Sequence, residues 1–244
     1  MNKPGKLYLI GTPIGNLNDI TLRAVATLRQ VHYIACEDTR VSQKLLNHFS
    51  LGSKRLISYH NFNEPRATQL VLNLLENGHD VALLSDAGMP AIADPGAGLV
   101  NQLNSRGLEL ELIPGVSALT SAFALSGFGP EFTFLGFGKP SRAQLEAQIR
   151  SLQPGHYVLF VAPHKLQVLL ALIATHWPDQ HQLFLAKELT KLHQRFFWGC
   201  STEIQKQLGP TPRGEFTLCL KIIRPKAIKV NKYPPRAKRP DQPM

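Results

Sequence analysis

The sequence predicts an α/β protein made of two α/β domains with a ligand cleft between them. Three observations support this fold class. Short apolar runs alternate with helical patterns along most of the 244 residues, as expected for α/β architecture with largely parallel sheets. Small and polar residues follow the predicted strands, where open α/β sheets bind ligands. The richest such stretch runs from Ser85 to Gly96, directly after the apolar run Val81–Leu84, and carries two acids and two prolines.

The first half of the chain contains five predicted strands, each a short apolar run bounded by turn or cap residues. In chain order they cover 6–11, 31–36, 55–59, 80–85 and 108–113. Helical patterns follow them at 20–29, 40–48, 65–77, 96–106 and 116–126. The helix at 65–77 is typical: Pro65 suits its first turn, and Gly78 ends it. Leu70 and Leu74 give this helix an apolar face.

The second half of the chain is also α/β, but its predicted strands lie closer together. Strands are predicted at 131–136, 156–161, 182–187, 192–198 and 215–223, and helices at 142–151, 165–175 and 201–208. The stretch 182–198 indicates paired, partly antiparallel strands. Proline and glycine residues break the series around 113–130. We therefore place an N-terminal α/β domain at 1–114, a C-terminal α/β domain at 115–224 and a basic, proline-rich tail, predicted to be disordered, at 225–244.

Positive charge is concentrated near the C-terminus. The formal net charge is +10, and the segment from Lys221 onward has eight basic residues against one acid. That segment therefore carries +7 and leaves +3 for the first 220 residues. Basic arms bind polyanions by neutralising phosphates, without reading sequence, so we expect Lys221–Arg239 to contact RNA. The alternatives are a tail that only adds solubility and contact with an anionic membrane surface.

Several classes of protein are disfavoured by what the sequence contains. No apolar run approaches the roughly 18 residues that a membrane helix needs, and the N-terminus leads straight into the first predicted strand, so we expect a cytoplasmic protein. Cys36, Cys200 and Cys219 are too scattered for a disulfide framework or a metal site. The loop Gly11–Leu17 matches neither a dinucleotide fingerprint nor a phosphate-binding lysine loop. We therefore expect no metal, no dinucleotide and no nucleotide hydrolysis.

Titratable side chains at the ends of predicted strands, or just beyond them, are the candidates for catalysis. They are Glu37, Asp38, Arg40, His60, Glu64, Lys187 and Glu188. Carboxylates and imidazoles act as general bases, and lysines contact phosphates or stabilise a developing alkoxide. The competing interpretation is structural: Asp38 or Thr39 caps a helix while Arg40 pairs with an acid. In the same interpretation Asn63 and Asp94 cap the following helices.

A set of short motifs carries a family resemblance. The motifs are Thr12-Pro13-Ile14-Gly15-Asn16-Leu17, Glu37-Asp38-Thr39-Arg40, Ser85-Asp86-Ala87-Gly88, Asp94-Pro95-Gly96, Pro114-Gly115 and Glu188-Leu189-Thr190-Lys191. In order and spacing they resemble the ribosomal RNA small subunit methyltransferase I family, within the tetrapyrrole methylase superfamily. The resemblance implies transfer of a methyl group from S-adenosylmethionine to the 2′-oxygen of a cytidine in the 16S ribosomal RNA of the 30S subunit. It also implies a homodimer and a cofactor in the cleft between the two domains.

The resemblance also assigns the cofactor contacts. They are Pro13, Asp86, Ala87, Gly88, Asp94, Ser117, Ala118, Phe160, Ala186 and Leu189. This sequence has Met89 where the family usually has threonine, and Val161 where it usually has an acid. Two alternatives therefore stay open: methylation of a small tetrapyrrole-like substrate, and an RNA-binding relative with impaired catalysis. No single residue is assigned as the catalytic base.

Overall fold

Two five-stranded sheets organise the part of the chain that the computed structural model describes, residues 3–223. Ten strands and eight α-helices occur there in the predicted order, and their ends differ from the predicted ends by no more than three residues. The predicted tail at 225–244 lies outside the described residues. So does most of the predicted RNA contact Lys221–Arg239.

The first sheet is parallel throughout and has the strand order β3-β2-β4-β1-β5. Its strands are β1 (Leu7–Ile10), β2 (Tyr33–Cys36), β3 (Arg55–Ser58), β4 (Val81–Leu84) and β5 (Leu110–Ile113). The helices of this half are α1 (Leu22–Gln30), α2 (Thr39–His48), α3 (Glu64–Glu76) and α4 (Ala97–Arg106). A parallel order of this kind brings the carboxyl ends of all five strands to one edge, where a ligand site is expected.

Helices cover both faces of the first sheet. Residues of α3 and α4 pack with Leu7 and Leu83 on one face, and residues of α1 and α2 pack with Ile10 and Leu84 on the other. The central strand β4 reads Val-Ala-Leu-Leu and is buried at every position. A strand covered on both faces needs such a continuous apolar run, which is why the sequence identifies it clearly.

Helix capping settles part of the competing structural interpretation. The Asp38 carboxylate accepts a hydrogen bond from the Arg40 backbone N–H, 2.8 Å away, and so caps α2 as that interpretation expected. The cap position of α4 is Gly96, with φ 126° and no side-chain cap. The idea that Asp94 caps α4 is therefore wrong. Asn63 occupies the cap position of α3, but its side chain makes no cap hydrogen bond to that helix.

The second sheet has the order β6-β7-β10-β8-β9, and only β6 and β7 run parallel. Its strands are β6 (Thr133–Phe137), β7 (Gly155–Val161), β8 (His181–Lys187), β9 (Arg195–Gly199) and β10 (Phe216–Ile222). Its helices are α5 (Ala118–Ser126), α6 (Arg142–Ser151), α7 (Pro163–His176) and α8 (Ser201–Leu208). Largely parallel sheets were expected, and for this sheet that expectation is wrong, whereas the antiparallel pairing predicted within 182–198 is confirmed by β8 and β9. β8 and β9 are joined by a connection too short for a parallel crossover, and β10 inserts antiparallel between β7 and β8.

The two halves of the chain pack against each other through the loop that follows β1. Ile14 of this loop lies in an apolar cluster with Phe123 of α5 and with Phe184 and Cys219 of the second sheet. Helix α5 packs against β7, β8 and β10. The domain boundary after residue 114 stays a prediction, and the packing of α5 with the second sheet supports it.

Candidate active site

A cavity of about 370 Å³ lies between the strand ends of the first sheet and the second sheet. This volume is in the range of small-molecule sites, which are commonly built where two structural units meet. Nine of the ten residues that the resemblance assigned to the cofactor line it: Asp86, Ala87, Gly88, Asp94, Ser117, Ala118, Phe160, Ala186 and Leu189. Pro13 does not line the cavity, whereas its neighbour Ile14 does.

The loops that follow β1, β4 and β5 are fastened together to form one wall of the cavity. Thr12 and Gly88 exchange two backbone hydrogen bonds, and the Thr12 hydroxyl donates to the Ser85 carbonyl oxygen at 3.1 Å. Gly11 and Gly115 pack backbone against backbone, so that a Cβ on Gly11 would lie only 2.7 Å from the Gly115 Cα. Glycine is needed at this contact because any side chain would push the two loops apart.

Three carboxyl groups form an acidic wall: Glu37 after β2, and Asp86 and Asp94 after β4. Burial raises the pKa of Asp94 to about 6, and the nearby charge of Glu37 adds to the effect. Burial also raises the pKa of Glu37 and of Asp86. Partly buried, mutually repelling carboxylates of this kind accept protons readily and favour a cationic ligand group.

Asp86 also connects the acidic wall to the start of α2. Its Oδ1 atom accepts a hydrogen bond from the Asp38 backbone N–H at 2.9 Å. This bond fixes the carboxylate of Asp86 and ties the loop after β4 to the loop after β2. A carboxylate held in this way has further lone pairs for hydroxyl or amino groups of a ligand.

The opposite wall is apolar and aromatic and comes from the second sheet. Phe160 on β7 packs edge-on against Phe134, with ring centroids 5.1 Å apart, and at a tilt against Phe137, at 5.4 Å. Ala186 and Leu189 extend this wall from the end of β8. An apolar wall that faces a few well-placed polar groups is the usual composition of a site for an organic ligand.

Of the seven catalytic candidates, Glu37 alone lines the cavity. Asp38 is engaged with Arg40, whose Nη2 atom lies 2.6 Å from its Oδ2 atom. The hydrogen bonds from Arg40 lower the pKa of Asp38 to about 2, which makes it a poor base. Asp38 and Arg40 therefore have the capping and pairing roles of the structural interpretation.

Glu64 and His60 lie beside the cavity rather than in its lining. The Glu64 Oε1 atom accepts hydrogen bonds from the Gly96 backbone N–H at 3.1 Å and from the Tyr59 hydroxyl at 3.3 Å. Glu64 thus holds the start of α4, next to the loop that carries Asp94. His60 lies close enough to Glu37 for its charged form to lower the pKa of that carboxyl, against the larger effect of burial.

Lys187 and Glu188 do not line the cavity either, and Glu188 organises the loop that does. The Glu188 Oε1 atom accepts a hydrogen bond from the Glu215 backbone N–H at 2.7 Å and lies 3.4 Å from the Lys191 Nζ atom. Glu188 has a φ of 52°, a strained value for a residue with a side chain. Glu188 thus ties its own loop, in which Leu189 lines the cavity, to the segment that contains Glu215, which also lines the cavity.

Some lining residues were not assigned to the site from the sequence. They include Ile14, Met89, Ile92, Phe137, Val161, Ala162, Pro163 and Thr217. Thr217 lies opposite Phe160 across the β7–β10 pairing. The sequence gives no local signal for Thr217, because strand register decides which residues face the cavity.

The fold and the cavity define a class of protein, the tetrapyrrole methylases. A family model described as Tetrapyrrole (Corrin/Porphyrin) Methylases matches residues 6–205. A solved structure of uroporphyrin-III C-methyltransferase from Thermus thermophilus, complexed with S-adenyl homocysteine, has the same fold. It matches with a TM-score of 0.61 at 18% identity, covering 88% of this chain and 97% of that one.

Closer relatives define the family within that class. A ribosomal RNA small subunit methyltransferase I from Mesomycoplasma conjunctivae is 47% identical over 229 residues, covering 93% of this chain and 96% of the relative. Its namesake from Thermotoga maritima is 44% identical and covers 88% of this chain and 98% of the relative. The chain belongs to the ribosomal RNA small subunit methyltransferase I family, which confirms the resemblance read from the motifs.

Proposed function

We propose that this protein transfers a methyl group from S-adenosylmethionine to the ribose 2′-oxygen of a cytidine in the 16S ribosomal RNA of the small subunit. One observation carries the proposal: the cavity between the two sheets gathers nine of the ten residues assigned to the cofactor. The relatives at 44% and 47% identity bear the name of a small-subunit ribosomal RNA methyltransferase. Their name supports RNA as the methyl acceptor.

The residues of the cavity fit S-adenosylmethionine. Phe160 and Leu189 offer a flat apolar surface for the adenine ring, and Gly88 leaves room beside the backbone. Asp86 and Asp94 supply acceptors for hydroxyl and amino groups and negative charge for a sulfonium. When bound, this cofactor supplies an electrophilic methyl group on a positively charged sulfur.

We assign the proton-accepting role to Glu37. A ribose hydroxyl is a weak acid, so its oxygen attacks more readily when a nearby base takes its proton. Burial raises the pKa of the Glu37 carboxyl, which makes it a stronger proton acceptor than an exposed glutamate. In the proposed step the proton of the ribose hydroxyl passes to a Glu37 carboxylate oxygen, and the walls of the cavity would keep the hydroxyl near the donor.

We propose a homodimer, as the resemblance implies, and a contact between Lys221–Arg239 and RNA, for which the charge of that segment argues. No helix within residues 3–223 is long and apolar enough to cross a membrane. We place the protein in the cytoplasm because its proposed substrate is part of the ribosome.

The test is to incubate the protein with donor labelled on the methyl group and to map the label. The acceptors are 30S subunits, naked 16S RNA and a tetrapyrrole mixture, each in a separate reaction. We expect label at one cytidine ribose in 30S subunits or in naked 16S RNA. Label in the tetrapyrroles alone would overturn the proposal. Donor binding without any transfer would support the catalytically impaired relative instead.

A further inference from the structure

An open groove of about 650 Å³ lies between α2 and the edge strand β3, outside the cavity described above. Three cationic side chains line it: Arg40, Lys44 and Lys54. None of the described residues that line the groove is acidic, and the amides of Gln43 and Asn47 complete its polar surface. The groove is therefore a largely polar strip with positive charge, and the Asp38 carboxylate pairs with Arg40 at one end of it.

The positive charge of this strip is local. The sequence has four Lys or Arg residues and no acid from Thr39 to Asn63. With Asp38, which pairs with Arg40, the segment carries +3, which equals the net charge of the whole first 220 residues. The rest of that part of the chain is close to neutral, so an approaching polyanion meets a distinct positive stripe rather than a uniformly basic surface.

The groove and the cavity are lined by residues that are close together in the chain. Glu37 lines the cavity, and helix α2 starts two residues later, at Thr39. Along α2 the groove residues Arg40, Lys44 and Asn47 are spaced i, i+4 and i+7, which places them on one face of the helix. At about 1.5 Å per residue this stripe extends roughly 10 Å away from the cavity.

The cations at the two ends of the groove are held in place. The Lys54 Nζ atom donates to the carbonyl oxygens of Arg29, at 2.8 Å, and Val31, at 2.7 Å, where α1 ends. The Arg40 guanidinium is oriented by Asp38. Ammonium and guanidinium groups fixed in this way lose little side-chain freedom when they meet a phosphate.

We infer that this groove binds the sugar–phosphate backbone of the RNA strand that flanks the methylated nucleotide. The inference rests on the proposed function, because it uses RNA as the substrate presented to the cavity. Phosphate contacts carry much of the affinity of RNA-binding proteins and fix their register on the strand. The groove would thereby set which nucleotide reaches Glu37, without reading any base itself.

The test measures RNA affinity and its salt dependence for variants at Lys44, which makes no ion pair among residues 3–223. Binding of a 16S RNA fragment is followed by fluorescence anisotropy at several salt concentrations. We expect Lys44→Ala to weaken binding about threefold and Lys44→Glu about tenfold. The plot of log affinity against log salt has a negative slope, and its magnitude should decrease by about 0.7 for Lys44→Ala. Gln43→Lys should strengthen binding.

The matched control is Lys206→Glu, which makes the same charge change at an exposed position on α8, away from both the groove and the cavity. It should leave RNA affinity within about twofold of the native value. Equal losses in Lys44→Glu and Lys206→Glu, or no loss in Lys44→Glu, overturn the inference. The native protein's methyl transfer to 30S subunits is measured in parallel. If the native protein transfers the methyl group but the Lys44 variants bind RNA normally, the groove inference alone is rejected. If the Lys44 variants bind RNA more weakly but the native protein transfers no methyl group, the proposed function alone is rejected.

Discussion

The carboxyl groups of the cavity wall are held in surroundings that favour their neutral forms. Asp94, Asp86 and Glu37 all have a raised pKa, and partial burial is the largest cause for each. Ionising them in the folded protein therefore costs stability, which is a common feature of functional sites. The cost is acceptable where a cationic ligand compensates for it.

Asp94 gives a pH-dependent prediction for stability. Its pKa in the folded protein is about 6, above the value of about 4 for an unfolded chain. The stabilisation of the folded state by the protonated Asp94 carboxyl is therefore fully present below pH 4 and is lost as the pH rises through 6. We therefore compare the free energy of unfolding of Asp94→Asn with that of the native protein at two pH values. The variant's value minus the native value should be about 1–2 kcal/mol larger at pH 7.5 than at pH 4, after allowance for solvent screening. Urea denaturation without donor at both pH values measures this, and a pH-independent difference would contradict it.

Glu37 gives a prediction for catalysis. Glu37→Gln removes the proposed proton acceptor and keeps the shape of the side chain. We expect the rate of methyl transfer at saturating donor to fall about 100-fold, with donor affinity changed by less than about threefold. Single-turnover assays measure the rate, and calorimetry measures the affinity. The control Glu76→Gln, at a surface ion pair with Arg106, should keep the native rate, and a Glu37→Gln variant with the native rate would refute the assignment.

At the scale of elements, the loop between β8 and β9 connects local geometry to the site. Glu188 holds this loop against Gly214 and Glu215, and Gly15 packs closely on Thr190 and Lys191. In the motif Glu188-Leu189-Thr190-Lys191, Leu189 lines the cavity, and the side chains of the other three residues hold the loop through contacts with Glu215 and Asn16.

Glu188 is thus predicted to position the site without taking part in the reaction. Glu188→Ala should weaken donor binding about tenfold, in line with the loss of one charged hydrogen bond. At saturating donor, the rate of methyl transfer should stay within about threefold of the native rate. Glu188→Gln keeps an acceptor for the Glu215 N–H and should restore most of the affinity. If Glu188→Ala instead slows transfer at saturating donor about as much as Glu37→Gln does, and Glu188→Gln does not restore the rate, the residue has a chemical role.

Sequence patterns predicted the elements well because apolar runs and helix periodicity are local. In the second sheet the short connection between β8 and β9 indicated their antiparallel pairing, but the other strand directions depend on distant partners, and the insertion of β10 between β7 and β8 leaves no local trace. The same distinction applies to the site. Motifs at strand ends identified Asp86 and Asp94, whereas Phe137 and Thr217 face the cavity through sheet register. Asp38 and Arg40 were ambiguous because a polar residue at a strand end serves equally well as a cap.

At the scale of the whole molecule, the site exists only where the two sheets meet. The acidic wall comes from the first half of the chain and the aromatic wall from the second, and Ile14 packs between them. The groove along α2 is a positively charged region outside the cavity, and the sequence of the C-terminal segment adds further positive charge. The cavity and the positive charge outside it together suit a substrate in which a small reacting group is part of a large polyanion.

The C-terminal segment provides a prediction at this scale. Removing residues 225–244 takes away six basic residues and one acid. RNA binding should weaken, and the salt dependence of the affinity should become less steep, because fewer counterions are released. Anisotropy titrations at two or more salt concentrations measure both effects. Unchanged affinity and slope would mean that the segment contributes solubility only.

We expect the cavity between the two sheets to bind the methyl donor. Calorimetric titration with S-adenosylmethionine tests it most directly, with the native protein, Asp86→Ala and the control Asp179→Asn, which lies in an exposed turn where φ is 56° and asparagine fits well. We predict one donor per chain, with native affinity in Asp179→Asn and at least about tenfold weaker binding in a folded Asp86→Ala. Native affinity in Asp86→Ala would contradict the claim.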